Sequence, residues 1–298
     1  MRTSISGTLT RILADTRNEI EQDKNRETAK QLKERLRDAI PVISFLGALR
    51  SGKALIAEIK ERSPSQGPMR PENVAAAPQA YKDCNLVKAI SVLTSWTNFG
   101  EGMRVARLAS VKEYAGKPVL RKDFVVEEYQ VYQARAYGAD AILLMANILE
   151  KEEMRQLSDL AFELGMDVLF ETHKPEELDE LPDTAKIIGI NCRDFGGGLT
   201  NNFGVARFFR QVLGATRDRS INSDRFEYVN RLPNQVVKVA ESGVTAENCA
   251  QIMARGFHSI LVGTSLLMDP RGVKAPLGDF EAALAGSAAQ RETAAMPK

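Results

Sequence analysis

Charged and polar side chains recur in this chain directly after short apolar runs. The run Ala54–Ile59 contains Glu58 and is followed by Lys60 and Ser63-Pro64-Ser65, and Val119-Leu120 leads into Arg121-Lys122-Asp123-Phe124. Further along, Phe170 precedes Glu171-Thr172-His173, Ile190 precedes Asn191-Cys192-Arg193-Asp194, Ala240 precedes Glu241-Ser242-Gly243, and Val262 precedes Gly263-Thr264-Ser265. In an extended chain, residues two apart share a face, which pairs Glu58 with Lys60, Glu171 with His173 and Asn191 with Arg193. Opposite charges in a strand end are costly unless they are paired or used, so Glu58 and Lys60 form either a structural ion pair or part of a site. Lys122 shares its face with Leu120 and Phe124. Such surroundings are expected to lower its pKa and suit it to general acid work; the alternative is a lysine that snorkels from a strand end. Glu171 follows an apolar run, where a carboxyl pKa is expected to rise toward that of a useful base, and His173 is expected to support it or to lie at the surface. Asn191 and Arg193 offer a neutral and a cationic donor for hydroxyl and carboxylate groups. The small residues Ser242-Gly243 and Gly263-Thr264-Ser265, about twenty positions apart, suit a phosphate held by backbone N–H groups.

These residues need elements to position them. The apolar runs Ala54–Ile59, Ala89–Leu93, Val119–Leu120, Ala141–Met145, Asp167–Phe170, Ile187–Ile190, Val236–Val239 and Ser259–Val262 have the length and continuity of strands buried on both faces. Helical stretches such as Glu128–Tyr137, Glu152–Leu164 and Ala246–Arg255 lie between them, followed by Gly138, Gly165 and Gly256 at C-cap positions. Eight strand–helix alternations predict an α/β fold, a (β/α)8 TIM barrel, over residues 51–285. An open doubly wound sheet is the alternative, weakened because no G-x-G-x-x-G follows the first run. Residues 1–50 are polar, with Leu9, Ile12, Leu13 and Ile20 at helical spacing, and predict a helical N-terminal extension packing on the barrel. Residues 286–298, rich in Ala, Ser and Thr, are expected to be a disordered tail.

Composition narrows the function classes. With 40 Lys+Arg against 39 Asp+Glu the net charge is +1 and no basic stripe is present, which speaks against nucleic-acid binding. Three dispersed cysteines without a CxxC pair and two histidines speak against a metal site. The N-terminus carries no apolar signal segment, and the apolar runs are far shorter than the roughly 20 residues that span a bilayer. A cytoplasmic monomer or homodimer, without membrane contact, is the expectation.

In family order on consecutive predicted strands, these motifs resemble the indole-3-glycerol-phosphate synthases, barrel enzymes of tryptophan biosynthesis. The resemblance rests on Ile56-Ala57-Glu58-Ile59-Lys60 with Ser63-Pro64-Ser65, Ile90-Ser91-Val92-Leu93-Thr94, Pro118-Val119-Leu120-Arg121-Lys122-Asp123-Phe124, Gly138-Ala139-Asp140-Ala141, Gly165-Met166-Asp167-Val168-Leu169, Gly189-Ile190-Asn191-Cys192-Arg193-Asp194, Glu241-Ser242-Gly243 and Val262-Gly263. It runs from about Ala54 to Pro270 and also covers the helical prelude. It implies closure of 1-(2-carboxyphenylamino)-1-deoxyribulose 5-phosphate to indole-3-glycerol phosphate, with loss of carbon dioxide and water and without a cofactor. It further implies that Lys122 is the acid, Glu171 the base, and Lys60 a ligand of the substrate carboxylate or phosphate that can share acid duty. By the same resemblance Glu58 orients the lysines, Asn191 and Ser242 supply hydrogen bonds, and Arg193 and Glu241 occupy further polar positions. Ser63 belongs to the substrate site, Gly243, Gly263 and Thr264 to the phosphate, and Phe124 and Leu143 to the ring pocket.

Three departures stand out. Phe99-Gly100-Glu101-Gly102 replaces the family's Phe-x-Gly-Ser and brings a carboxylate toward the substrate entrance. Gly196-Gly197-Gly198 replaces bulky residues. About twenty extra positions separate Asn191 from Glu241, assigned to a polar stretch at 214–230 that reads as a surface insertion, or alternatively as a lid or subunit contact. The departures leave room for a paralogue acting on a modified aryl-amino sugar phosphate. A non-catalytic phosphate-binding barrel is a more distant alternative, because no charged strand-end residue is missing.

Overall fold

The computed structural model describes residues 7–64, 66–193 and 223–294. Eight strands, β1 (Ala54–Ile59), β2 (Val87–Leu93), β3 (Val119–Lys122), β4 (Ala141–Met145), β5 (Asp167–Thr172), β6 (Ile187–Asn191), β7 (Val237–Glu241) and β8 (Ser259–Val262), form a closed barrel. Neighbours run parallel, and β1 pairs with both β2 and β8 to close the ring. This is the predicted (β/α)8 architecture. Nearly every strand residue is buried, which is why the strands read as continuous apolar runs rather than alternating ones.

The helices are α1 (Gly7–Arg26), α2 (Ala29–Arg35), α3 (Phe45–Arg50), α4 (Pro71–Asp83), α5 (Trp96–Phe99), α6 (Arg107–Ala115), α7 (Glu128–Ala136), α8 (Lys151–Glu163), α9 (Ala246–Ala254), α10 (Thr264–Leu267) and α11 (Lys274–Ala294). Gly138 and Gly165, just past α7 and α8, have φ of 88° and 80°, the left-handed turn that ends a helix without a Cβ clash.

The N-terminal helices are fastened to the barrel at several levels. Leu9, Ile12 and Leu13 of α1 and Phe45 and Leu49 of α3 join the main core, while Ile20 and Leu32 pack with Tyr129 and Ala136 of α7. Buried Asp140 accepts from the backbone N–H of Ile43 (2.7 Å), from that of Val119 (2.7 Å) and from Lys112 Nζ (2.7 Å), and Asp167 accepts from Leu46 N–H (2.8 Å). These carboxylates at the starts of β4 and β5 tie the chain at Ile43 and the first turn of α3 to the barrel floor. Nearer the opposite rim, Glu19 of α1 accepts from Thr97 N–H (2.7 Å) and Ser95 Oγ (3.1 Å).

Helix α11 runs to Ala294, into the stretch from residue 286 where a disordered tail is the expectation, and 295–298 lie outside the described residues. The presumed surface insertion at 214–230 lies outside them up to 222, but Ser223–Arg231 is a 3-10 helix that buries Phe226, Tyr228 and Val229. Tyr228 Oη lies 3.1 Å from Thr172 Oγ1 on β5. The segment is therefore barrel packing at 226–229; its polar residues masked an apolar face. The Gly196–Gly198 departure lies outside the described residues.

Candidate active site

The C-terminal strand ends surround a cavity of about 720 Å3. Its walls include Glu58, Lys60, Ser63, Lys122, Phe124, Leu143, Glu171, Asn191, Arg193, Glu241, Ser242, Gly243, Gly263 and Thr264. The structure thus brings together all the residues that the resemblance assigns to the site. The reason is topological: a parallel barrel delivers all its strand ends to one face.

Lys122 lies at the centre of the charge pattern. Its Nζ is 3.1 Å from Glu171 Oε2 and 3.5 Å from Glu241 Oε2. Burial alone would lower its pKa, but Glu171, Glu241 and Glu58 outweigh that and raise it. The expected lowering is therefore corrected: the apolar neighbours on its own strand matter less than carboxylates arriving from other strands. Glu171 is corrected likewise. Burial pushes its pKa up, yet Lys122 and then His173 bring it down to about 2. The raised carboxyl is Glu241, lifted by burial and by Glu171 beside it. Two buried carboxylates near one ammonium do not both ionise readily, so Lys122 and His173 lower Glu171 while burial and Glu171 raise Glu241.

Glu58 and Lys60 form a buried ion pair at 2.6 Å, and Lys60 and Lys122 hold the Glu58 pKa down against burial. Arg121 and Asp123, facing away from Lys122, pair at 2.8 Å, and Arg121 Nη1 donates to Gln130 O on α7 (2.8 Å). That clamp fixes the strand end that carries Lys122. His173 is buried, with Nε2 3.3 Å from Glu171 Oε1, which makes it a neighbour of Glu171 rather than a surface residue. Asn191 Oδ1 accepts from Arg193 N–H (2.8 Å), and Arg193 O accepts from Arg225 Nη1 (2.9 Å).

Glycine creates room at two places. A Cβ on Gly189 would lie 2.0 Å from Glu241 Oε1, and one on Gly263 would lie 2.4 Å from Glu58 Oε1. Ser242, at φ 66°, is the one non-glycine residue with positive φ among the described residues, followed by Gly243 at φ 70°. Such strain concentrates at functional sites, and this turn lines the cavity together with Gly263 and Thr264. The opposite side is apolar: Leu93, Phe99, Phe124, Leu143 and Met145 line it, with Phe99 stacked on Phe124 at 6.3 Å and 8°.

A family model for indole-3-glycerol phosphate synthase matches residues 9–202. The chain belongs to the indole-3-glycerol phosphate synthase family. Relatives with that description include one from Bacteroides thetaiotaomicron, 33% identical over 88% of this chain and 94% of its own length. Another, from Neisseria meningitidis, is 35% identical over 87% and 94%, and one from Paenarthrobacter aurescens is 35% identical over 94% and 97%. Among solved structures, 3-hexulose-6-phosphate synthase from Salmonella typhimurium matches at a TM-score of 0.56 and 14% identity, covering 78% of this chain and 99% of its own; at that identity it shows the fold alone.

For this synthase family member, sequence reading missed part of the wall. Thr8 and Ile12 of α1 reach the cavity, a placement that Ile12's helical spacing hinted at only as core. Phe99 was noted as a motif but not as a wall. Glu101, whose charge was expected near the entrance, is exposed and is not among the lining residues.

Proposed function

We propose that this protein is an indole-3-glycerol phosphate synthase, a carbon–carbon lyase that closes 1-(2-carboxyphenylamino)-1-deoxyribulose 5-phosphate to indole-3-glycerol phosphate, releasing carbon dioxide and water. The observation that carries the reading is Lys122 Nζ held 3.1 Å from Glu171 between an apolar wall and the small-residue turns. The aryl group fits beside Phe124 and Leu143; the phosphate fits Gly243, Gly263 and Thr264. Lys122, kept protonated by its carboxylates, gives a proton to the substrate ketone oxygen as the ring carbon attacks. Carbon dioxide then leaves, and aromaticity drives loss of the hydroxyl, which departs as water on a second proton from Lys122, reprotonated from solvent, while Glu171 takes a proton from the adjacent methylene carbon. Lys60 and Arg193 hold the anionic groups, while Glu58 orients Lys60. Ser63, Asn191, Ser242 and Glu241 address the polar groups between the ring and the phosphate.

The Gly100–Gly102 departure gives no support to a modified ring, because Glu61 packs against both glycines. The three cysteines are free and buried, in keeping with a reducing compartment such as the cytoplasm. We take the partner to be the phosphorylated small molecule alone, with the chain acting as monomer or homodimer. The test is incubation of purified protein with the substrate while indole fluorescence and carbon dioxide release are followed together. Equal amounts of both are expected; a folded protein that produces neither contradicts the assignment.

A further inference from the structure

We propose that Glu61 is a positioning residue that locks the loop after β1, which carries Lys60 and Ser63, to the loop after β2, which carries the Phe99 wall. The inference rests on the reading above that the substrate ring lies beside Phe124, on which Phe99 stacks.

Glu61 touches the second loop at backbone and side chain alike. Its own N–H donates to Phe99 O (3.1 Å), Gly102 N–H donates to its Oε2 (3.0 Å), and Arg107 Nη1 approaches its Oε1 at 3.3 Å while also reaching Gly102 O at 3.5 Å. The next residue repeats the link: Arg62 Nε donates to Asn98 O (3.1 Å) and its Nη2 to Thr97 O. The glycines of the second loop are shaped around this side chain. A Cβ on Gly100, which has φ 121°, would lie 2.4 Å from Glu61 Cβ, and one on Gly102 would lie 2.1 Å from Glu61 Oε1. The serine usual in the family at position 102 would therefore collide with the Glu61 carboxylate, so the departure at 100–102 and Glu61 form one local unit.

The ion pair with Arg107 is partly exposed and contributes little by itself. What matters is geometric: the carboxylate fixes two backbone segments whose neighbours, Lys60 and Phe99, both line the cavity. Loss of the lock lets Phe99 leave its stack on Phe124 and lets the Lys60 loop drift, which weakens substrate binding in ground and transition states alike and moves KM more than kcat.

The chain carries its own reporter. Trp96, its single tryptophan, starts the helix that ends at Phe99 and lies between Arg104 and Arg26, 4.4 and 5.9 Å from its ring centroid. The experiment compares wild type, Glu61→Ala, Glu61→Gln, Gly102→Ser and the double variant Glu61→Ala/Gly102→Ser by steady-state kinetics and acrylamide quenching of Trp96. Glu61→Ala is expected to raise KM by on the order of tenfold, to leave kcat within about threefold, and to make Trp96 more quenchable. Glu61→Gln, which keeps an acceptor for Gly102 N–H, stays near wild type, and Gly102→Ser behaves like Glu61→Ala. In the double variant the serine has room, so KM is no higher than for Glu61→Ala alone. Wild-type KM and quenching in folded Glu61→Ala or Gly102→Ser, multiplying effects in the double variant, or a fall in kcat with KM unmoved would each overturn the proposal. If the wild type makes no product while quenching keeps the expected order, the family activity fails and the coupling of the two loops stands.

Discussion

Gly189→Ala is the perturbation that separates the site's chemistry from its stability most cleanly. The added methyl would lie 2.0 Å from Glu241 Oε1, 3.1 Å from its Cδ and 3.3 Å from Leu169 Cδ1. The first distance is about 1.5 Å short of ordinary contact, so the carboxylate must move by an amount of that order. It is the far end of a flexible side chain, yet Glu171 and Lys122 stand beside it, and the open direction is the cavity itself. The fold should absorb this at a cost of about 1–2 kcal/mol, whereas a displacement of about 1 Å within a catalytic set can lower the rate on the order of 100-fold. Glu241, moved away from Glu171, would also lose the carboxylate that, with burial, raises its pKa. The assay is kcat/KM across pH together with urea unfolding. A variant with wild-type kcat/KM, or one whose activity falls only in proportion to its folded fraction, would refute the reasoning.

Two further outcomes follow from other parts of the molecule. Burial lifts the Glu19 pKa to about 7 in spite of hydrogen bonds from Thr97 and Ser95, so the folded protein keeps a proton there that the unfolded chain releases near 4.5. Its contribution to stability is complete below that pH and is lost as pH rises through about 7, by up to about 1.4 kcal/mol per unit. Glu19→Gln should remove this dependence, and urea midpoints that fall equally for both proteins between about pH 5 and about pH 8 would contradict it. Asp140→Ala strips buried Lys112 of its carboxylate and frees the chain around Ile43, and should cost about 3–5 kcal/mol in chemical unfolding; a loss under about 1 kcal/mol would show that the floor clip is incidental.

The barrel was legible because parallel strands buried on both faces leave unbroken apolar runs, and the site was legible because the polar residues that end those runs share one rim. Glu58 and Lys60 could be paired from period two alone. What period two could not carry was the meeting of different strands. The Lys122 pKa was read from Leu120 and Phe124 on its own strand, whereas Glu171 and Glu241, from β5 and β7, decide it. The same limit hid Thr8 and Ile12, which reach the cavity from an element far away in sequence, and Glu61, whose partner glycines lie some forty residues on. Phe226, Tyr228 and Val229 were hidden for another reason: three apolar residues among Asp224, Arg225, Glu227 and Arg231 leave the segment polar on average while a 3-10 turn still buries one side.

The proposed reaction needs Lys122 as acid and Glu171 as base, 3.1 Å apart at the barrel mouth. Its most direct test is indole-3-glycerol phosphate formation by wild type, Lys122→Met and Glu171→Gln, each verified as folded and as binding inorganic phosphate. Turnover by wild type is expected, with a loss of on the order of a thousandfold in each variant and phosphate binding retained. Turnover that survives either substitution at a rate near wild type would contradict it.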